Sequence, residues 1–257
     1  MSASPPPRDD VVVSHKVTVR RFVLNSLLTN GFLVKDNDTG ALAIVDPGDR
    51  VDDLAAAAAE WGGDLRWILV THGHPDHCAG VEALVELAGG EVAGAPGGSF
   101  PVDRPVSGGE ALDFGARCIL VQATPGHTAD SVSFQIEEHI FVGDFLFRLG
   151  SGRTDGEGAS AAALFQTVRE VFDDLPDETV LWCGHGPPST VGEEKAENPF
   201  WRHALSDGAA VPVDKVRYRG ETVPVLAWAD DYDGGRKALL RLVDGSNVIV
   251  PGSQVAG

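Results

Sequence analysis

The stretch Thr71-His72-Gly73-His74-Pro75-Asp76-His77 decides the reading of this chain: three imidazoles and a carboxylate fall within a few residues, directly after the apolar run Trp67-Ile68-Leu69-Val70. Histidines this close lose hydration on burial and gain little packing in return, whereas imidazole nitrogen and carboxylate oxygen together suit divalent zinc, iron or manganese. The economical reading is a metal site at the mouth of one β-strand.

Outward from that loop the same order recurs. Ala123-Thr124-Pro125-Gly126 leads to His127, Phe141-Val142-Gly143 to Asp144, and Leu181-Trp182-Cys183-Gly184 to His185. Loops at strand ends bring residues distant in sequence to one site, while the sheets hold their spacing. His72 and His74 alternate along an extended loop and can point one way, and Asp76 and His77 can turn towards a second ion as a helix begins. A carboxylate such as Asp144 has two oxygens and can bridge two cations, whose charge would compensate its burial. Asp46, after Val45, reads first as a strand-end turn residue and secondly as an acceptor for a ligating histidine. Cys78 and Cys183 flank the ligand loops and read as small buried side chains.

The rest of the chain supplies a mixed architecture. Short extended segments at 11–13, 17–19 and 22–24 precede Gly31–Lys35 and Ala41–Val45, and Asp36-Asn37-Asp38-Thr39-Gly40 turns the last two into a hairpin. Val51–Trp61 is an alanine-rich helix stopped by Gly62-Gly63, and a second helix is expected over Cys78–Ala88. Strands are expected at 91–93, 117–121, 132–136, 139–142 and 179–182, with a helix over Ser160–Phe172. Such alternation implies helices covering the outer faces of sheet layers. From Trp201 the texture changes to short strands at 211–216, 222–228, 237–243 and 247–250. They suggest a small β-barrel, which is too small to form a secure core alone and is expected to pack on the body or on another copy of the chain.

The 257 residues carry 20 basic and 38 acidic side chains, a formal charge of -18, which disfavours nucleic acid and anionic membranes as partners. Residues 1–10 lack the apolar core of a signal peptide and read as a flexible arm, and no run reaches the length of a membrane span. Three widely spaced cysteines do not suggest a disulfide framework, so a cytoplasmic location is expected.

On these residues the chain resembles the metallo-beta-lactamase fold superfamily, within its glyoxalase II-like and persulfide dioxygenase-like hydrolase branch, over roughly residues 13 to 200. The resemblance extends to Gly152-Arg153-Thr154-Asp155, to the segment from Gly184 to Glu194 and to Asn198-Pro199-Phe200. It implies an α/β fold, an αββα sandwich of two mixed β-sheets with outer helices, occupying residues 11–200 and followed by the strand-rich extension 201–257. It further implies a first metal site of His72, His74 and His127, a second of Asp76, His77 and His185, and Asp144 bridging them. Glu193 and Glu194 are expected on a solvated turn or a first helical turn, and Arg153 in a salt bridge that fixes its loop, with contact to an anionic substrate as the alternative.

Two divalent ions, Zn2+ first among them, would let a bridging hydroxide attack the carbonyl of a small ester or thioester, with Asp76 handling the proton. One alternative is a mononuclear iron persulfide dioxygenase, with a single Fe2+ on His72, His127 and Asp144. Another is a metal-stabilised binding protein without catalysis. Glyoxalase II itself carries a helical C-terminal region that contributes to recognition of its glutathione thioester. The strand-rich tail departs from that pattern and leaves the substrate open within small carbonyl compounds. A homodimer is a further expectation.

Overall fold

Alternation of buried and half-exposed residues along Val17–Val23, beside the almost wholly buried Asn30–Asp36, sets the first sheet. The computed structural model describes residues 10–97, 99–206 and 210–256, so most of the expected N-terminal arm lies outside the described residues. The chain divides into two compact units, Met1–Gln122 with Val132–Glu137 and Ala123–Ser131 with Glu138–Gly257.

In the first unit, strands β1 (Asp10–Val13), β2 (Val17–Val23), β3 (Asn30–Asp36), β4 (Leu42–Val45), β5 (Leu65–Val70), β6 (Glu91–Gly94) and β7 (Arg104–Pro105) lie side by side in chain order. The first four are antiparallel and β4 to β7 parallel, a mixed sheet. Helices α1 (Val51–Trp61), α2 (Pro75–Cys78) and α3 (Val81–Ala88) fill the connections. Leu54, Ala57 and Ala58 of α1 and Val81 and Leu84 of α3 share a core with Leu33, Ile44 and Ile68 of the sheet. Gly62 ends α1 in the left-handed region at φ 65°, where its N–H closes on the carbonyls of Ala58 and Ala59. Strands β8 (Ala111–Phe114), β9 (Arg117–Ala123) and β10 (Val132–Ile136) complete the unit.

One consequence of the parallel pairing bears on function. Val45 of β4 stands opposite Leu69 of β5, so the loops that begin at Asp46 and Thr71 leave the sheet side by side. Carboxyl ends of adjacent parallel strands are where open α/β sheets gather their sites.

The second unit repeats the device. Strands β11 (His139–Gly143) and β14 (Val180–Cys183) are parallel, with Gly143 opposite Cys183, so Asp144 and His185 follow neighbouring strand ends. A short hairpin of β12 (Leu146–Phe147) and β13 (Gly150–Ser151) intervenes, and β15 (Ser189–Thr190) pairs antiparallel with β14. Helices α4 (Ala161–Thr167), continued by a π-helical turn over Val168–Phe172, α5 (Val191–Glu197) and α6 (Pro199–Leu205) follow. The tail forms an antiparallel meander of β16 (Asp214–Tyr218), β17 (Glu221–Asp230), β18 (Arg236–Arg241) and β19 (Asn247–Pro251). Ala256 pairs back onto Arg217 of β16, so the meander curls around its own core of Val216, Val223, Val225, Leu240 and Val250. Its other face packs on the body of the unit: Leu226, Ala229, Leu239 and Ile249 join Ile140, Phe145, Phe172 and Trp201 in one cluster.

Three expectations are corrected. The helix expected over Cys78–Ala88 starts only at Val81, after the separate short helix Pro75–Cys78, and between the two the chain passes so close to Pro47 that a Cβ at Gly80 would lie 2.2 Å from its carbonyl oxygen. The strand-rich texture does not begin at Trp201, which is buried in α6 behind the Asn198 cap: the Asn198 side chain accepts from the N–H groups of Phe200 and Trp201. Glu194 is fully buried, accepting from Leu149 N, the Asn198 side chain and the Ser189 hydroxyl, and burial pushes its carboxyl above the ordinary range. Both glutamates sit in the first turn of α5, as expected, so only the solvation of Glu194 is corrected; Glu193 forms an ion pair with Arg148. Among the described residues no helix is long and apolar enough to cross a membrane.

Candidate metal centre

In the first unit the loop after β5 is held by the carboxylate of Asp46. Asp46 accepts from Thr71 N at 2.8 Å, from Thr71 Oγ1 at 2.8 Å and from His77 Nδ1 at 2.9 Å. Asp46 is itself buried at φ 51°, a left-handed conformation uncommon away from glycine. The loop on which it sits is tightly seated, since a Cβ at Gly48 would meet the carbonyl oxygen of Asp76 at 1.6 Å.

These bonds fix which ring nitrogen carries the proton. His77 donates through Nδ1 to Asp46, so its Nε2 offers a lone pair. The Thr71 hydroxyl spends its single proton on Asp46 and must therefore accept from His72 Nδ1 at 3.1 Å, which leaves His72 Nε2 as a lone pair as well. His72 Nε2 stands 2.9 Å from His74 Nδ1, and His77 Nε2 stands 3.5 Å from Asp76 Oδ2, whose position is set by the Thr29 hydroxyl at 2.9 Å. Two ligand atoms on one tetrahedral zinc lie about 3.3 Å apart by bond length and angle. Both pairs are close to that separation.

In the second unit His127 Nδ1 stands 2.9 Å from the carbonyl of Arg153, which can only accept, so Nδ1 carries the proton and Nε2 the lone pair. Asp144 Oδ2 stands 3.6 Å from this His127 Nε2 and 3.5 Å from His185 Nε2. One carboxylate oxygen facing two imidazole nitrogens is the arrangement a bridging ligand requires. The loop is compressed here too: a Cβ at Gly152 would sit 1.9 Å from the carbonyl of Asp144 and 3.1 Å from the Cβ of His127. Arg153 pairs with Asp155 at 2.7 Å and serves the loop.

The first unit thus gathers His72, His74, Asp76 and His77, and the second gathers His127, Asp144 and His185. Asp46 carries more weight than its sequence reading gave it, because parallel pairing of β4 with β5 was not readable from the turn residues Asp46-Pro47-Gly48. Burial pushes the Cys78 thiol above its ordinary value and keeps it protonated, and Cys183 is buried, so neither is presented as a thiolate ligand. His139 is buried and accepts from Trp182 Nε1 at 3.2 Å.

Imidazole and carboxylate groups presented at strand ends, three of the imidazoles held through Nδ1, form a donor set suited to a divalent metal in a mixed α/β fold. Residues 25–185 match the family model described as the metallo-beta-lactamase superfamily, and the chain belongs to that superfamily. It is 34% identical over 194 residues to a hydroxyacylglutathione hydrolase of Acidiphilium cryptum, covering 73% of this chain and 76% of that one. A hydroxyacylglutathione hydrolase of Brucella ovis is 34% identical over 178 residues, covering 67% of each. Among solved structures, ETHE1 from Myxococcus xanthus aligns with a TM-score of 0.67 at 30% identity, covering 72% of this chain and 89% of that one.

Proposed function

We propose that the chain is a two-metal hydrolase of small thioesters, with His72, His74 and His127 around one divalent ion, Asp76, His77 and His185 around the other, and Asp144 shared between them. The observation that carries this reading is the position of Asp144 Oδ2 between the ring nitrogens of His127 and His185. Two ions, Zn2+ by the donor set, would supply a strong oxygen nucleophile at neutral pH and a Lewis acid for the carbonyl oxygen of the substrate. The chain's own part is positional. Asp46, Thr71 and the Arg153 carbonyl hold three imidazoles with their lone pairs aimed inward, and Thr29 holds Asp76 where its carboxylate can take up and return the proton of the attacking water.

A mononuclear iron persulfide dioxygenase is the lesser reading. It uses only His72, His127 and Asp144, and leaves the pair Asp76–His77, built with its own supports in Thr29 and Asp46, without work. The acidic composition and three cysteines outside any disulfide support a cytoplasmic protein acting on small molecules. A homodimer is proposed with the same reading. The mass in solution checks it.

Elemental analysis of protein purified without added metal or chelator tests the main proposal. About two divalent ions per chain, with hydrolysis of a panel of acyl thioesters lost on metal removal and restored by Zn2+, is the expected result. About one iron per chain, with oxygen uptake on a persulfide, would replace it by the dioxygenase. Replacement of His72, His77 or His185 by Ala should lower metal content and turnover far more than replacement of His139.

A further inference from the structure

The C-terminal meander reaches a metal-site residue. Its β17–β18 turn, Asp230-Asp231-Tyr232-Asp233-Gly234-Gly235, lays the Tyr232 ring flat on the His185 imidazole, with centroids 4.5 Å apart and planes 13° from parallel. Phe147, on the β12–β13 hairpin, closes edge-on upon both rings, 5.5 Å from His185 and 5.1 Å from Tyr232. Gly186 makes the contact feasible: a Cβ there would lie 2.9 Å from the Cβ of Tyr232.

The turn is built to hold that ring still. Asp231 Oδ1 accepts from Tyr232 N at 2.9 Å and from Lys237 Nζ at 2.7 Å, and Asp231 N donates to Gly235 O at 3.0 Å. Lys237 is only 5% exposed, and its ammonium stands 4.2 Å above the Phe147 ring. Separating a buried lysine from its carboxylate would leave an uncompensated charge, so the two side chains stay together. With its charge engaged by Asp231, Lys237 offers the turn a fixed anchor.

We propose that Tyr232 is a positioning residue for His185, so that the tip of the C-terminal sheet is a working part of the metal centre. His77, His72 and His127 are oriented by donating to Asp46, Thr71 and the Arg153 carbonyl, and stacked aromatic rings bear on His185, which sits in a loop of glycines, Gly184-His185-Gly186. The family match ends at residue 185, and Tyr232 lies beyond it. The inference rests on the reading of His185 as a metal ligand.

The test follows zinc transfer from the loaded full-length chain to a coloured chelator, with His185→Ala as the reference. Tyr232→Ala should ease release of the same ion that His185→Ala loses, by about tenfold. Tyr232→Phe, which keeps the ring, should release zinc as the natural chain does. Val223→Ala, which loosens the core of the same sheet away from the stack, should also match the natural chain. If His185→Ala leaves zinc retention unchanged, the ligand assignment fails and the inference falls with it. If His185→Ala weakens retention and Tyr232→Ala does not, the inference alone is overturned. Release from Tyr232→Phe or Val223→Ala equal to that from Tyr232→Ala would also overturn it, tracing the effect to the hydroxyl or to general loosening of the sheet.

Discussion

Asp46 shows how much one side chain can decide at a candidate metal centre. Its two oxygens accept three hydrogen bonds, and through them they settle the proton positions on His77 directly and on His72 by way of Thr71. Asp46→Asn keeps the shape and removes the charge, so an amide group must face at least one N–H or O–H that the carboxylate now satisfies. Metal affinity should fall by about 10- to 100-fold, the usual consequence of losing the acceptor behind a ligating histidine. Competition with a chelator reads this directly, and an unchanged affinity would remove Asp46 from the site. The seven candidate donors of the proposed site were legible as a set because they follow apolar runs and turns. The weight of Asp46 was not, because a lone Asp before Pro-Gly is what an ordinary turn also looks like.

Elements place these residues by pairing, which a single sequence does not display. Alanine content and the Gly62-Gly63 stop gave α1 its limits, and apolar runs marked the strands that lead to His or Asp, yet which strands lie parallel depends on contacts between distant segments. The two-residue strands β7, β12, β13 and β15 are too short to show any period, and Phe147 on β12 drew no notice for that reason. The β11–β14 pair also carries a titration. His139 on β11 accepts from Trp182 on β14, and burial holds its imidazole below the ordinary value, with nearby Glu138 opposing. The folded state therefore binds the proton less readily than the unfolded chain, whose histidine titrates at about 6.5. The stability this group contributes is complete above that pH and is lost as pH falls from there through the folded value. Denaturant midpoints of the natural chain and His139→Gln, which keeps an acceptor for Trp182, should lie closest at acid pH and diverge in favour of the natural chain at neutral pH. A pH-independent difference would show that the imidazole does not titrate in this range.

At the scale of the whole molecule, the open question is what residues 201–257 are for. We propose that they extend a catalytic domain of residues 11–200 and depend on it for a core. The meander is small, and its two faces are both apolar: Ala238 and Leu240 point to its own interior, while Leu239 between them joins the cluster of Phe172, Phe200 and Trp201. Strand alternation alone produces this division, because successive side chains leave a strand on opposite faces. The strand-rich composition made the sheet legible in advance, but the second apolar face reads the same whether it meets the body or another copy of the chain. The cluster favours the body, and the consequence is measurable. Leu239→Ala opens a cavity in a core shared with α6 and the π-helical turn, so it should cost about 2–4 kcal/mol of stability. If the meander and the rest of its unit unfold as one, the loss appears as a single shifted transition, seen equally in the Trp228 environment of the sheet and in that of Trp201. If the tail were a free module, the Trp228 signal would shift alone and Trp201 would report an unchanged midpoint.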